Sequence, residues 1–223
     1  MIDWDPIKTV LLDMDGTLLD LHFDTHVWTE VVPKAWAQKN KKPLEFAREF
    51  VMEEIGKVYG QLEFYDIYYW NELLGLDIEA LHREQQHLIG WRPGARALLR
   101  YLKENGKRLV LVTNCHRDIL EIKLECTDLG HFMHKIVSCH DFGIPKEDKR
   151  FWTELRQQER YFPDSSVMLD DNISVLKSAR EYGIRFLLGI TKPSSQGKRK
   201  EFDGYLEVDH FSQLIVGGKE KGQ

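Results

Sequence analysis

The sequence predicts an α/β fold: a doubly wound, Rossmann-like parallel sheet carrying an inserted helical segment. Three observations predict it. First, from residue 91 onward, near-continuous apolar runs alternate with amphipathic stretches; the runs are RLVLVT (108–113), KIVS (135–138), SVMLD (166–170) and RFLLGI (185–190). Such runs are the pattern of strands covered on both faces, and their alternation with helices points to a parallel sheet. Second, a similar run, TVLLD (9–13), stands near the start of the chain as the first strand. Third, the stretch between that strand and residue 91 has little alternation and much helical periodicity. The expected division is residues 1–19 and 91–223 as the α/β core and 20–90 as a helical cap.

Taken in order, the cap segment should form helices over about 26–40, 44–58 and 63–74, with a short fourth after Asp77. In PGARALLRYLKENG (93–106), Leu98, Leu99 and Leu102 share a face, Pro93 suits the first helical turn and Gly106 the C-terminal cap. In NISVLKSAREYG (172–183), Asn172 can cap the N-terminus, Val175, Leu176 and Ala179 form the apolar stripe, and Gly183 ends the helix. No internal repeat is visible, and the tail GGKEKGQ is polar and expected to be frayed.

The bulk numbers narrow the function classes. With 223 residues, 42% hydrophobic and 30% charged, the chain has the composition of an ordinary globular protein. A net charge of −5 offers no basic field for nucleic acid. No apolar run approaches the ~18 residues of a membrane span, and MIDWDPIK lacks a signal-peptide core; a cytoplasmic location is expected. The three cysteines, Cys115, Cys126 and Cys139, lack C-x-x-C spacing and read as reduced thiols.

The chemistry concentrates at strand ends. In open α/β sheets, ligands bind beyond the carboxyl ends of the strands, at the point where strand order reverses. VLLDMDGTLLD (10–20) puts Asp13 and Asp15 there, two residues apart. Such a pair can divide labour: one carboxylate stays ionised as nucleophile and metal ligand, while the other has its pKa raised and carries a proton. Gly16 permits positive φ, and Thr17 offers a hydroxyl and an amide. LVLVTNC (109–115) ends a strand on Thr113-Asn114, FGIPKEDKRFW (142–152) carries Lys146, and VMLDDNISVL (167–176) carries Asp170-Asp171. Mg2+ favours a few carboxylates with water and phosphate oxygens, and a point positive charge can offset clustered carboxylates and a phosphate dianion.

These four motifs, in this order, resemble those of the haloacid dehalogenase superfamily of aspartate-nucleophile phosphatases. The first is hhhhDxDGT, and the family fold is a doubly wound core with a cap after strand one. The resemblance implies Asp13 as nucleophile and Asp15 as general acid–base. It implies Thr113, Asn114, Lys146 and Gly16 as phosphate-binding positions. Mg2+ would be held by Asp13, the Asp15 carbonyl oxygen and Asp171, with Asp170 an additional or supporting group. Dehalogenases of the superfamily lack the second acid, because halide needs no proton, so Asp15 argues for phosphoryl transfer.

A closer similarity, to bacterial nucleotidases that prefer GMP and IMP, runs through YYWNELLGLDI (68–78), VTNCH (112–116), KLECTDL (123–129), FGIPKED (142–148) and LDDNISVLKSAREYGIRFLLGIT (169–191). It implies a purine nucleoside 5′-monophosphate as substrate. The alternatives are a sugar-phosphate or phosphoglycolate phosphatase, or a phosphomutase, of the same superfamily. A catalytically silent binding module would be expected to lack Asp13, Asp15 or Asp171, and all three are present. EFYDIYYW (63–70) supplies rings of which one can stack on a purine, while most should be cap core. Phe23, Asp24 and Trp28 are candidates to line the cleft. His116 reads as a loop histidine and Cys115 as a bystander. His131, His134 and His140 match no zinc spacing, and GKRKEF (197–202) reads as a solvated loop.

Overall fold

The computed structural model describes residues 2–215, so the predicted tail lies outside the described residues. Six parallel strands form one sheet in the order β3-β2-β1-β4-β5-β6. They are β1 (Thr9–Leu12), β2 (Arg108–Thr113), β3 (Lys135–Ser138), β4 (Ser166–Asp170), β5 (Phe186–Ile190) and β6 (Leu206–Val208). The chain builds outward from β1 on one side through β2 and β3, and on the other through β4 to β6. Strand order therefore reverses at β1. Leu12 is level with Leu111 and Leu169, so the carboxyl ends of the three central strands open onto one edge.

The continuous apolar runs are explained by the two layers they separate. Along the strands, Val10, Leu12, Leu109, Leu111, Val167 and Leu169 face Leu98, Leu99 and Leu102 of α7 (Ala95–Glu104) and Leu120 of α8 (Arg117–Cys126). The intervening Leu11, Val110, Val112 and Met168 face Phe151, Trp152 and Leu155 of α9 (Lys149–Gln158) and Val175, Leu176 and Ala179 of α10 (Ile173–Tyr182). Alternate side chains of a strand point to opposite faces, so both parities must be apolar. Each such side chain contributes about 1.5–3 kcal/mol on burial. Asn172 caps α10 by accepting from the Ser174 amide, and Gly183 ends it at φ 109°, as the sequence predicts. Pro93 differs from expectation. It stands ahead of Gly94, whose φ of 80° directs the chain into α7 at Ala95.

Between β1 and α7 the chain is helical. The helices are α1 (His22–His26), α2 (Val32–Asn40), α3 (Leu44–Lys57), α4 (Leu62–Tyr65), α5 (Ile67–Leu74) and α6 (Ile78–Glu84). They share a core of Phe23, Val27, Val32, Val51, Ile67, Trp70, Leu74 and Ile78, which also takes in Ile119 and Ile122 of α8. Two predicted helices are corrected. The first begins at His22 and passes through a π turn, Val27–Val31, before α2. Pro33 has no amide to give Thr29, and the wider turn accommodates the missing bond. The third is broken at Asp66, whose extended backbone and side-chain bond to the Tyr68 amide start a new helix. The sequence reading also missed β6, whose three residues are too few for a periodic signal.

The helical segment leaves and re-enters the core at one place. Leu19 bridges Trp91 in antiparallel fashion, the Asp20 amide donates to Gly90 O (2.8 Å) and the Arg92 amide to Leu18 O (2.9 Å). Among the described residues no helix is long and apolar enough to cross a membrane.

Candidate active site

At the reversal point, each motif residue leaves the end of a buried strand. Asp13 follows β1, and its amide prolongs the ladder by donating to Leu169 O at 3.0 Å. Thr113 and Asp170 are the last residues of β2 and β4, and Asp171 follows directly. Lys146 comes from the loop between β3 and α9. Its ammonium is 2% exposed and donates to Asp13 Oδ1 (2.6 Å), Asp170 Oδ2 (2.8 Å) and Val112 O (3.1 Å). Three donors meet three acceptors, which is what a buried ammonium requires. Burial opposes its charge, but the Asp13 and Asp170 carboxylates outweigh it and hold Lys146 well above the usual lysine range.

Asp13, Asp170 and Asp171 form a buried acidic triad whose oxygens lie within 4.8 Å of one another. Burial pushes both Asp170 and Asp171 up; Lys146 opposes this for Asp170, and Lys200 for Asp171. Three carboxylates this close are costly in a low dielectric unless cations join them. Gly16 has the room they need: at φ +80°, an added Cβ would lie 2.7 Å from Asp171 Cγ. Its amide is bonded to Leu19 O (2.8 Å). Its absent side chain lets the loop after β1 approach Asp171 closely.

The Asp15 side chain is not in the triad. It is turned to Lys123 Nζ, 2.7 Å from Oδ1, and Lys123 also donates to Asp24 Oδ1 at 2.6 Å. Burial first, and then the Asp24 carboxylate, push the Asp15 carboxyl up to about 7, against the pull of Lys123. The sequence reading missed Lys123 and assigned Asp24 only a place in the cleft. A signal for Lys123 existed: it falls on the same face of α8 as buried Ile119 and beside Ile122, an apolar stripe where a lysine is out of place.

Thr113 lies beside the triad and its hydroxyl accepts from the Cys115 amide (3.0 Å). Asn114 is an organiser: Oδ1 accepts from the Lys146 amide (2.9 Å) and Nδ2 donates to Glu147 Oε2 (2.9 Å). Glu147 Oε1 also accepts from Tyr65 Oη (2.6 Å) and Asn172 Nδ2 (3.1 Å), joining the helical segment to the strand-end loops. The stretch 197–202 is a largely exposed loop, as the sequence predicts, with one addition at Lys200. The lysine folds back to donate to Asp171 Oδ2 (2.7 Å) and Asp171 O (2.9 Å).

Above these charges opens a cleft of about 740 Å3, lined at its base by Asp13, Asp15, Thr113, Lys146 and Asp171 and higher up by Trp28, Ile55, Phe64, Tyr65, Ile67 and Trp70. Asp24 also lines it, while Phe23 is buried within the helical core. His116 borders the cleft but is committed elsewhere: Nδ1 accepts from the Asp118 amide (3.3 Å) to cap α8. Burial pushes the Cys115 thiol well up, away from nucleophilic character. No metal-ligating cluster includes His131, His134 or His140 among the described residues.

The chain is similar to several known proteins. The chain is 37% identical over 214 residues to the GMP/IMP nucleotidase YrfG of Escherichia coli, covering 96% of each. It is 23% identical to the phosphoglycolate phosphatase of Pseudomonas putida, over 94% of this chain and 79% of that one. Its fold superposes on a HAD phosphatase from Thermococcus onnurineus with a TM-score of 0.80 at 22% identity, covering 96% and 99% of the two chains. Residues 7–183 match the sequence model of the haloacid dehalogenase-like hydrolases. The chain belongs to that family.

Proposed function

We propose that this hydrolase is a Mg2+-dependent phosphomonoesterase that acts through an aspartyl-phosphate intermediate on purine nucleoside 5′-monophosphates. The observation that carries the reaction class is the unlike setting of two neighbouring carboxylates. Asp13 sits against Lys146 in the triad, while Asp15 stands apart against Lys123 with its carboxyl pushed up to about 7. A nucleophile must be ionised and an acid–base group must carry a proton near neutrality.

The residues present fit the cation. Asp13, Asp15, Asp24, Asp170 and Asp171 meet Lys123, Lys146 and Lys200 in two joined clusters. In the triad itself, three carboxylates against the Lys146 and Lys200 ammonium groups leave negative charge for a cation to meet. All donors are hard oxygens, and the glycine beside Asp171 keeps the approach open. Asp13, Asp171 and the Asp15 carbonyl would hold the ion, with Asp170 supporting them. When bound it supplies charge neutralisation between the nucleophile and the phosphate.

Asp13 attacks phosphorus in line, and Asp15 gives its proton to the departing ribose oxygen. Asp15 then takes a proton from the water that opens the aspartyl phosphate. Lys146 and the Thr113 hydroxyl hold the equatorial oxygens as charge spreads over them. The helical segment 20–90 acts as the cap that selects the leaving group. The nucleotide reading rests on the likeness to the GMP/IMP nucleotidase and on the apolar, aromatic upper cleft. A glycolate carboxylate would ask for a cation beyond the phosphate site, whereas the upper cleft presents Trp28, Ile55, Phe64, Ile67 and Trp70. A phosphate-release screen over nucleotides, sugar phosphates and phosphoglycolate, with and without Mg2+, tests the proposal. GMP and IMP should lead, and EDTA should abolish release. Preference for phosphoglycolate would overturn the substrate assignment.

A further inference from the structure

The steps above use Asp15 but leave Lys123 without a role. Its Nζ is the most enclosed charge facing the acid: the side chain is 1% exposed on the inner face of α8. Each of its partners comes from one of two places. Asp15 Oδ1 belongs to the loop after β1, while Asp24 Oδ1 and the Phe23 ring (5.3 Å to the centroid) belong to α1, the first helix beyond it. Lys123 is the one side-chain hydrogen-bond donor to the Asp15 carboxylate among the described residues.

We propose that Lys123 and Asp24 are positioning residues for the general acid: Lys123 holds the Asp15 carboxylate away from the acidic triad, and Asp24 anchors that lysine from the helical segment. Asp15 lies only two residues from Asp13, and a carboxylate that close has two competing destinations. One is the triad, where it would add to the cation ligands; the other is the cleft, where it can reach a leaving oxygen. Pinning Oδ1 to Lys123 decides between them and leaves the second oxygen for proton transfer. A buried ammonium with only one carboxylate would be free to shift, and Asp24 removes that freedom. The acid is therefore in register when α1 is seated against α8, which links the seating of the helical segment to the reaction rather than to binding alone.

This inference rests on Asp15 being the general acid, and the experiment separates the two. We would measure kcat/KM for aryl phosphates from p-nitrophenyl to phenyl, and for one alkyl ester, in wild type, Asp15→Asn, Lys123→Met and Asp24→Asn. This ratio reports steps up to leaving-group departure, so a lost or misplaced acid shows as a steeper dependence on leaving-group basicity. General acid catalysis contributes about 100-fold or more. Lys123→Met should therefore lower kcat/KM on the alkyl ester about 100-fold, and Asp24→Asn about 10-fold, with much smaller losses on p-nitrophenyl phosphate. If Asp15→Asn steepens the dependence while Lys123→Met and Asp24→Asn lower all esters equally, the pair is merely structural and the proposal is overturned. If Asp15→Asn itself leaves the slope unchanged, the acid assignment is what has failed. Should Lys123→Met not fold by circular dichroism, the near-isosteric Asp24→Asn decides alone, and an unchanged slope in it refutes the link to α1.

Discussion

Two buried lysines pair with acids two residues apart in the chain, Asp13 and Asp15, and hold their carboxylates differently. Lys146 gathers Asp13 and Asp170, both from the ends of neighbouring central strands. Lys123 gathers Asp15 from the loop after β1 and Asp24 from the helical segment. The first cluster is part of the sheet's edge and is fixed by its register. The second spans two packing units and holds only while they are in contact. Exposure follows the same division: the Asp13 and Asp170 side chains are 8% and 1% exposed, those of Asp15 and Asp24 are 19% and 21%. The lesson is that the proposed nucleophile is set by the scaffold, while the proposed acid is set by a junction.

The contrast can be broken at its strongest point first. Asp13→Asn should lower turnover by more than about 1,000-fold while leaving the circular dichroism spectrum unchanged; phosphate release at wild-type rate would refute the nucleophile. Next, Lys146→Met should cost about 3–5 kcal/mol of stability at neutral pH, because it leaves two buried carboxylates unpaired. Burial raises the folded pKa of Asp170 above its unfolded value, so protonation on acidification relieves the strain. The deficit in urea unfolding should thus shrink as pH falls. Lys123→Met should cost less, about 1–3 kcal/mol, since its two partly exposed carboxylates can recover water.

Gly16→Ala sharpens the comparison from the scaffold side. It forces a side chain into a positive-φ position against the Asp171 carboxylate. A loss of about 1–3 kcal/mol in stability and weaker Mg2+ binding by calorimetry are expected. Trp28→Ala probes the junction side. A ring contact with a base is worth about 1–3 kcal/mol, so KM for GMP should rise roughly tenfold while kcat/KM for p-nitrophenyl phosphate stays level. The smallest effect belongs to Cys115→Ala, whose neutral thiol has no part in the chemistry; turnover should stay within about twofold.

The same division explains what could be read from the sequence. β1, β2, β4 and the residues that follow them are local in the chain: an apolar run announces the strand, and the polar residue ending it announces the site. That is why Asp13, Thr113, Asp170 and Asp171 could be named before any geometry. Lys123 and Asp24 could not be paired, because their partners lie 108 and 99 residues away and no pattern in α1 or α8 reports the meeting. Lys200 reaches Asp171 across 29 residues of chain from a stretch whose composition resembles any exposed basic loop. The break at Asp66 was hidden for the opposite reason. Aromatic periodicity runs across it, and only the side-chain bond to Tyr68 N reveals the restart.

The closed backbone gate at Leu18–Asp20 and Gly90–Arg92 has a consequence for evolvability. Because the outgoing and returning segments are hydrogen-bonded to each other, the sheet meets the same two adjacent chain ends whatever is strung between them. The loop-closure entropy of the insert varies only slowly with its length. The fold therefore works as a socket: the inserted helices can be lengthened, shortened or exchanged without disturbing the register that aligns Asp13 with Asp170.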